Sequence, residues 1–453
     1  MQRDTTGLVW FRRDLRLRDN PAWAEATRNH NRVLAVYVVD AALMDRAGPH
    51  RRRAIQEAID GLAAALDGGL QVVHGDPATE ITDLVSGIGI EDLYVNSDVT
   101  PYATARDQAT GAALAELIDV SCTVHATWGS LIRPPHSILT DAGTVPKVFT
   151  AFWKRWQRER LPAEAEAIPT VVATFDRDIP FDPAVHVTEP ELQAVARLEE
   201  FVGQRLDRYL DDRDLPAIVG TSRLSVDLKV GTLGPATAAR RAAASPAGDG
   251  FVRQLAWRDW FAHLLAEEPR MVVSPLRIDR SPAWRNDPDE ISAWKTGQTG
   301  FPIVDAGMRE LLATGIMHNR VRMIAASFFV KDLLGDWRIG ERYFRHFLAD
   351  GDVAQNVGNW QWVAGTGPDA APFFRVFNPT LQSNKFDPSG AYLRRWLPEL
   401  AALDNRAIHE PATLGPLELA AAGITLGVDY PHPIVDHAEA RRRAIAAYER
   451  TKR

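Results

Sequence analysis

A change of period partway along the chain limits its possible folds more than any other feature. Between residues 5 and 130 the short runs GLVWF, RVLAVYVVD, LQVVHG, IEDLYVN and VSCTVHATW alternate with helical patterns such as RRRAIQEAIDGLAAAL and ARDQATGAALAELI. Strands and helices in alternation predict a parallel sheet covered on both faces. From about 160 to 190 the chain carries five prolines and little periodicity, which predicts a long connection. Beyond it strand signals nearly vanish, and ELQAVARLEEFVGQRLDRYL, GDGFVRQLAWRDWFAHLLAEE, GFPIVDAGMRELLATG and HNRVRMIAASFFVKDLL all read as helices. The expected architecture is an N-terminal Rossmann-like α/β domain followed by an all-helical domain. No G-x-G-x-x-G follows the first strand, so the ordinary dinucleotide fingerprint is missing.

Length and composition narrow the function. At 453 residues the chain has room for two or three domains, and its 45% hydrophobic and 25% charged residues suit a globular protein. No apolar run approaches the ~20 residues of a membrane span. The N-terminal MQRDTTGLVWFRRD has no long apolar stretch ahead of a cleavage site, so a cytoplasmic protein is expected. Cys122 is the one cysteine, which rules out an internal disulfide and predicts an inert core side chain in a strand. A net charge of -7 does not announce a nucleic-acid binder and leaves local patches to decide. Thirteen tryptophans point to where unusual chemistry would lie.

Several stretches could carry that chemistry. In GTSRLSVDLKVGTLGP, Thr221, Ser222 and Ser225 precede helical sequence, where hydroxyls and free amides suit a pyrophosphate or simply cap the helix. In FVRQLAWRDWFAHLL, Phe251, Leu255 and Arg258 share one stripe while Gln254, Trp257 and Phe261 line the next, as a base-stacking face or as ordinary core. Arg320 and Arg322 lie two apart in an apolar helix, so one must turn inward and find a carboxylate; Asp350 and Asp352 are the candidates. In NVGNWQWVAG, a strand would put Trp360 and Trp362 on one face, whereas a helix would turn them about 200° apart.

Taken together, LVWFRRDLRLRDNPAW, GTSRLS, WRDWFAH, TGFPIVDAGMR, MHNRVRMIAASFFVKDLL, DWRIGERYF and NWQWVAGTGPDAAPFFRVFNP resemble the photolyase and cryptochrome family, most closely the class I photolyases that repair cyclobutane pyrimidine dimers. The resemblance spans essentially the whole chain. It implies an antenna-binding α/β domain over 1–130, a linker over 131–190 and a helical FAD-binding domain over 191–453. By motif position Tyr209, Thr221, Ser222, Arg223, Leu224, Ser225, Phe251, Arg258, Arg322, Asp350, Gly351 and Asp352 would hold FAD, with Arg322 paired to Asp350 and Asn356 at flavin N5. Trp360, Trp337 and Trp284 match the electron-relay tryptophans, with NWQW expected to be helical. Trp257 and Trp362 match the pair that packs on a flipped dimer, and Arg213, Arg320 and Gln382 match DNA-facing positions. The implied partner is UV-damaged DNA, single- or double-stranded; no metal is implied, and a monomer is expected.

Some positions depart from the family pattern. Gln254 stands where class I enzymes carry a glutamate toward the thymine carbonyl, and an amide can donate there but cannot share a proton. Phe251 replaces a usual tryptophan. Six-four photolyases have two histidines where this chain has Asn319 and Met323, which argues against that lesion. Cryptochrome-like light reception is the alternative from another class; those receptors usually carry a C-terminal extension, and here about twenty residues follow YPHPIV. For the antenna, NSDVTPYATARD has Tyr102 and Ala103 in place of an Asn-Glu pair, so deazaflavin or another flavin is expected ahead of folate.

Overall fold

The computed structural model describes residues 3–175, 177–277, 280–369 and 375–452. Part of the DAAPFF motif, residues 370–374, therefore lies outside the described residues. The chain divides into two compact units, one running through Asp207 with Ser222–Pro269, the other made of Arg208–Thr221 and the residues from Arg270 onward.

The first unit holds the sheet. Its strands are β1 (Arg3–Phe11), β2 (His30–Val39), β3 (Leu70–His74), β4 (Asp92–Asn96), β5 (Thr123–Thr127), β6 (Thr170–Ala173) and β7 (Asp178–Phe181). Five of them run parallel in the order β5-β4-β1-β2-β3, which places a topological switch point between β1 and β4. Alternation along β1 and β2 explains the two cores. Val9, Phe11, Val33, Ala35 and Tyr37 fill one face, and Leu8, Trp10, Leu34, Val36 and Val38 the other.

The proline-rich stretch expected as connection contributes β6 and β7. β6 shares an edge of β2 with β3, pairing at Arg32–Leu34 while β3 takes Ala35–Val39. β7 is antiparallel to β6, at the sheet's end, where Pro180 is tolerated. The run TVVA is short enough for its proline-rich surroundings to hide it. Cys122 is not in a strand: it precedes β5 by one residue, half-buried against the sheet core, and burial pushes its thiol up to about 11.

The helix Asp249–Glu267 clusters with the sheet unit although sequence places it in the helical domain. Its Asp259 is fully buried and accepts from Ile132 N (3.1 Å), Arg133 N (3.0 Å) and Trp156 Nε1 (2.8 Å), so it is tied into the α/β part. The second unit is helical, with helices Pro302–Thr314, Asn319–Ser327, Trp337–Phe347, Val353–Ala364, Pro379–Phe386 and His437–Glu449 as its main elements. Among the described residues no helix is long and apolar enough to cross a membrane.

Candidate functional site

The helix Asn319–Ser327 sends its two arginines to different acids. Arg322 donates from Nε to the Met317 carbonyl and from Nη2 to Asp350 Oδ2, both at 2.8 Å. Asp350 is the inward partner; Asp352 instead caps the helix Val353–Ala364, accepting from Gln355 N at 3.1 Å. Asp350 Oδ1 is buried with no hydrogen-bond partner among the described residues, a costly condition unless another group fills it. Gly351 between the two acids is buried.

Asn356, one turn into that helix, commits both amide hydrogens to Glu341, donating from Nδ2 to its carbonyl (2.8 Å) and to Oε1 (3.0 Å). Both partners are acceptors, so the amide orientation follows from the network. Glu341 was not singled out from the sequence, although it follows Trp337 by four in a helix whose Trp337, Gly340 and Phe344 form the buried face. A carboxylate on an apolar stripe was the signal. Burial raises its pKa, countered by Arg345 and by the Asn356 bond.

NWQW is helical, and the two indoles part as that geometry requires: Trp360 is buried and Trp362 half-buried. Trp360 meets Phe344 (5.1 Å), Phe329 (5.9 Å) and Trp294 (6.1 Å) edge-on. It also presses against Gly340, where a Cβ would collide with its ring. Trp337, three residues before Gly340, is fully buried, and its Nε1 has no hydrogen-bond partner among the described residues. Trp284 is half-buried in a small cluster with Leu334, Ala444 and Tyr448. Of the three tryptophans that the resemblance assigns to a relay, Trp360 and Trp337 are buried and Trp284 is half-buried, all in one unit.

Arg320 turns the other way, to Asp214 Oδ2 (2.8 Å), with its guanidinium over the Phe386 ring at 4.3 Å. These groups, with Gln382 and Lys385, line a cavity of about 430 Å³. Asp214 could not be read from the sequence, being 106 residues from its partner. Asn319 is exposed and donates to the Met323 sulfur at 3.8 Å. His318 caps the same helix, its Nδ1 accepting from Arg320 N at 3.2 Å; burial, partly opposed by Asp214, holds its pKa down at about 4. Tyr209 is buried with the Arg213 guanidinium over its ring at 5.7 Å, and Thr221 is half-buried.

The remaining candidates lie in the first unit. Ser222 is half-buried, Arg223 is exposed at φ +55, Leu224 is buried, and Ser225 starts the short helix Ser225–Val230. No side chain caps that helix, so its hydroxyls are not used as ordinary caps. Arg258 donates from Nη2 to the Leu228 carbonyl (3.0 Å) and from Nη1 to the Ser130 carbonyl. Phe251 packs on Phe201 at 4.9 Å, and Gln254 makes a long bond to the Gly250 carbonyl at 3.5 Å. Trp257 lies flat on Phe149, 3.7 Å between centroids and 15° between planes.

At the sheet's switch point several polar side chains bond to one another. Asn96 donates to Asp14 (2.6 Å) and Asn20 (2.7 Å), and Arg12 reaches Asp107 at 2.5 Å. In the antenna segment the Tyr102 hydroxyl donates to Asp40, with the Arg46 guanidinium over the Tyr102 ring at 5.7 Å. No group of three or more His, Cys, Asp or Glu side chains that could hold a metal occurs among the described residues.

In the second unit the open acceptor Asp350 Oδ1 fits a buried group that presents N–H donors, as a flavin ring does. Comparison with known proteins agrees. A family model described as the FAD binding domain of DNA photolyase matches residues 251–450, and one described as DNA photolyase matches 7–171. The chain is 39% identical over 487 residues to a deoxyribodipyrimidine photo-lyase of Escherichia coli K12, covering 99% of each. A crystal structure of a bacterial class III photolyase from Agrobacterium tumefaciens superposes with a TM-score of 0.89 at 36% identity, covering 100% of this chain and 98% of that one. An archaeal photolyase from Sulfolobus tokodaii, solved with two FAD molecules, gives 0.84 at 29%, covering 98% and 100%. FAD is the cofactor, and the chain belongs to the DNA photolyase family.

Proposed function

We propose that the protein uses blue light to repair cyclobutane pyrimidine dimers in DNA. The grouping of Arg322, Asp350 and Asn356 carries this reading, because it leaves a buried acceptor, Asp350 Oδ1, beside an amide fixed by Glu341. Photolyases are among the enzymes that take their target out of the base stack, and the E. coli relative's name supplies the lesion class.

Bound FAD, in its reduced form, supplies a donor that on absorbing light lends one electron to the dimer until the ring has split. The protein's part is placement. Arg322 and Asp350, which neutralise each other, would hold the cofactor together with Gly351, Asp352, Tyr209 and Thr221. Asn356, fixed by Glu341, offers an acceptor to a ring N–H. Trp284 takes up electrons at the surface, and Trp337 and Trp360 pass them inward. Trp257 and Trp362 each offer an indole to a flipped base, at about 1 to 3 kcal/mol per stacked base. Arg213, Arg320 and Gln382 contact the DNA, and Gln254 donates to a thymine carbonyl without sharing a proton.

The deciding experiment illuminates the reduced protein with an oligonucleotide carrying a thymine dimer and follows restored thymine absorbance. Restoration under blue light and none in the dark is expected. Tight lesion binding with no restoration would instead favour a light receptor, and restoration of six-four photoproducts alone would change the lesion. The absorption spectrum of the purified protein tests the antenna, with a deazaflavin or flavin band expected in place of a folate band.

A further inference from the structure

Within the second unit a groove of about 700 Å³ runs between Arg375 and Gln382 on one side and His437, Arg441 and Arg442 on the other. Among the described residues no Asp or Glu lines it, although the chain as a whole carries a net charge of -7. Charge of one sign gathered in a concave surface focuses attraction for a polyanion.

The groove wall is built rather than incidental. His437 Nδ1 binds the Asp332 carboxylate at 2.5 Å, and Arg443 Nη2 donates to the Asp332 carbonyl at 2.6 Å, so residue 332 pins the start of the helix His437–Glu449. With Arg443 held inward, its neighbours Arg441 and Arg442, each a helical step of about 100° apart, turn to solvent. Arg442 pairs with Glu439 at 4.0 Å with both side chains exposed, a pair that contributes little. The groove is also continuous with the cavity holding Arg320 and Lys385, because Arg375, Phe377 and Gln382 line both.

We propose that Arg441 and Arg442, with Arg375, form a second phosphate-binding surface that holds the DNA backbone beyond the lesion. This rests on the reading of the protein as a DNA-repair enzyme and adds the C-terminal helix to its DNA contacts. Phosphate contacts position the duplex without reading its sequence.

The test is the double variant Arg441→Gln/Arg442→Gln, titrated with lesion-bearing and undamaged duplex between about 50 and 200 mM salt. The expected result is at least about tenfold weaker binding at the low-salt end and a plot of log affinity against log salt shallower by about 2. Damaged and undamaged duplex should lose the same factor. Arg441→Lys/Arg442→Lys should keep the steep slope, since a point charge suffices. A short single strand bearing the lesion and one neighbour on each side should bind the Gln variant as it binds wild type, because it ends before the groove. Unchanged affinity and slope on the long duplex would overturn the proposal, as would equal weakening on the short strand, which marks a structural fault. Failure of wild type to prefer damaged DNA would be a separate result, against the repair reading itself.

Discussion

Two aromatic assemblies, one in each unit, are built on opposite principles. Trp257 lies flat on Phe149 and stays half-buried, whereas Trp360 is buried with Phe344, Trp294 and Phe329 all edge-on to it. A flat backing makes an indole a platform for another flat ring. Edge-on packing from several sides leaves no platform but holds the ring in contact with other π systems. The count of tryptophans therefore says little; ring geometry separates an indole with a flat aromatic backing from one enclosed by ring edges.

The comparison is most exposed to Trp360→Phe, which keeps an aromatic wedge but removes the indole. Light-driven reduction of the oxidised flavin, followed by bleaching of its visible absorbance, should be lost. Wild-type photoreduction in this variant would put Trp360 back among ordinary core residues. Trp257→Ala comes next, with lesion-DNA binding expected to weaken by about 1 to 3 kcal/mol in a titration. Equal weakening on undamaged DNA would mean that the ring packs the fold and does not act as a platform.

Gly340→Ala sharpens the contrast from the other side. The added methyl meets the Trp360 ring, which three aromatic neighbours keep from moving, and overpacking of this kind costs about 1 to 3 kcal/mol in urea unfolding. The same change has no reason to alter the Trp257 assembly.

The remaining expected effect is in acid. His318 in the second unit and His263, on the Trp257 helix, are both held down at about 4 by burial. Each is neutral in the fold but takes up a proton when unfolded below about 6.5, so stability falls as pH drops from there toward 4. His318→Asn keeps a capping acceptor and should flatten part of that fall, on the order of 2 kcal/mol, in melting curves compared at neutral and acid pH. An unchanged pH dependence would show that His263 and the other buried histidines account for it.

Much of this was legible in the chain. The five strands through residue 130, the helices of the second half and the helical NWQW all lie where periodicity or motif resemblance puts them. β6 and β7 escaped because a four-residue strand beside prolines carries too little pattern. Among candidate site residues, the need of a buried guanidinium for an acid narrowed the choice to Arg320 or Arg322 with Asp350 or Asp352, and the family resemblance named Arg322 with Asp350, whereas Asp214 as the partner of Arg320 gave no such signal.

The sequence by itself determined the order of strands and helices, the family and the inventory of chemical groups, because period and motif are written locally in backbone geometry. Only the tertiary structure decided that Arg320 meets Asp214, that Glu341 orients Asn356, and that Arg441 and Arg442 face a groove while Arg443 does not. Those outcomes depend on which helices pack together and on what burial demands of a charge, and neither is a property of any short stretch of chain.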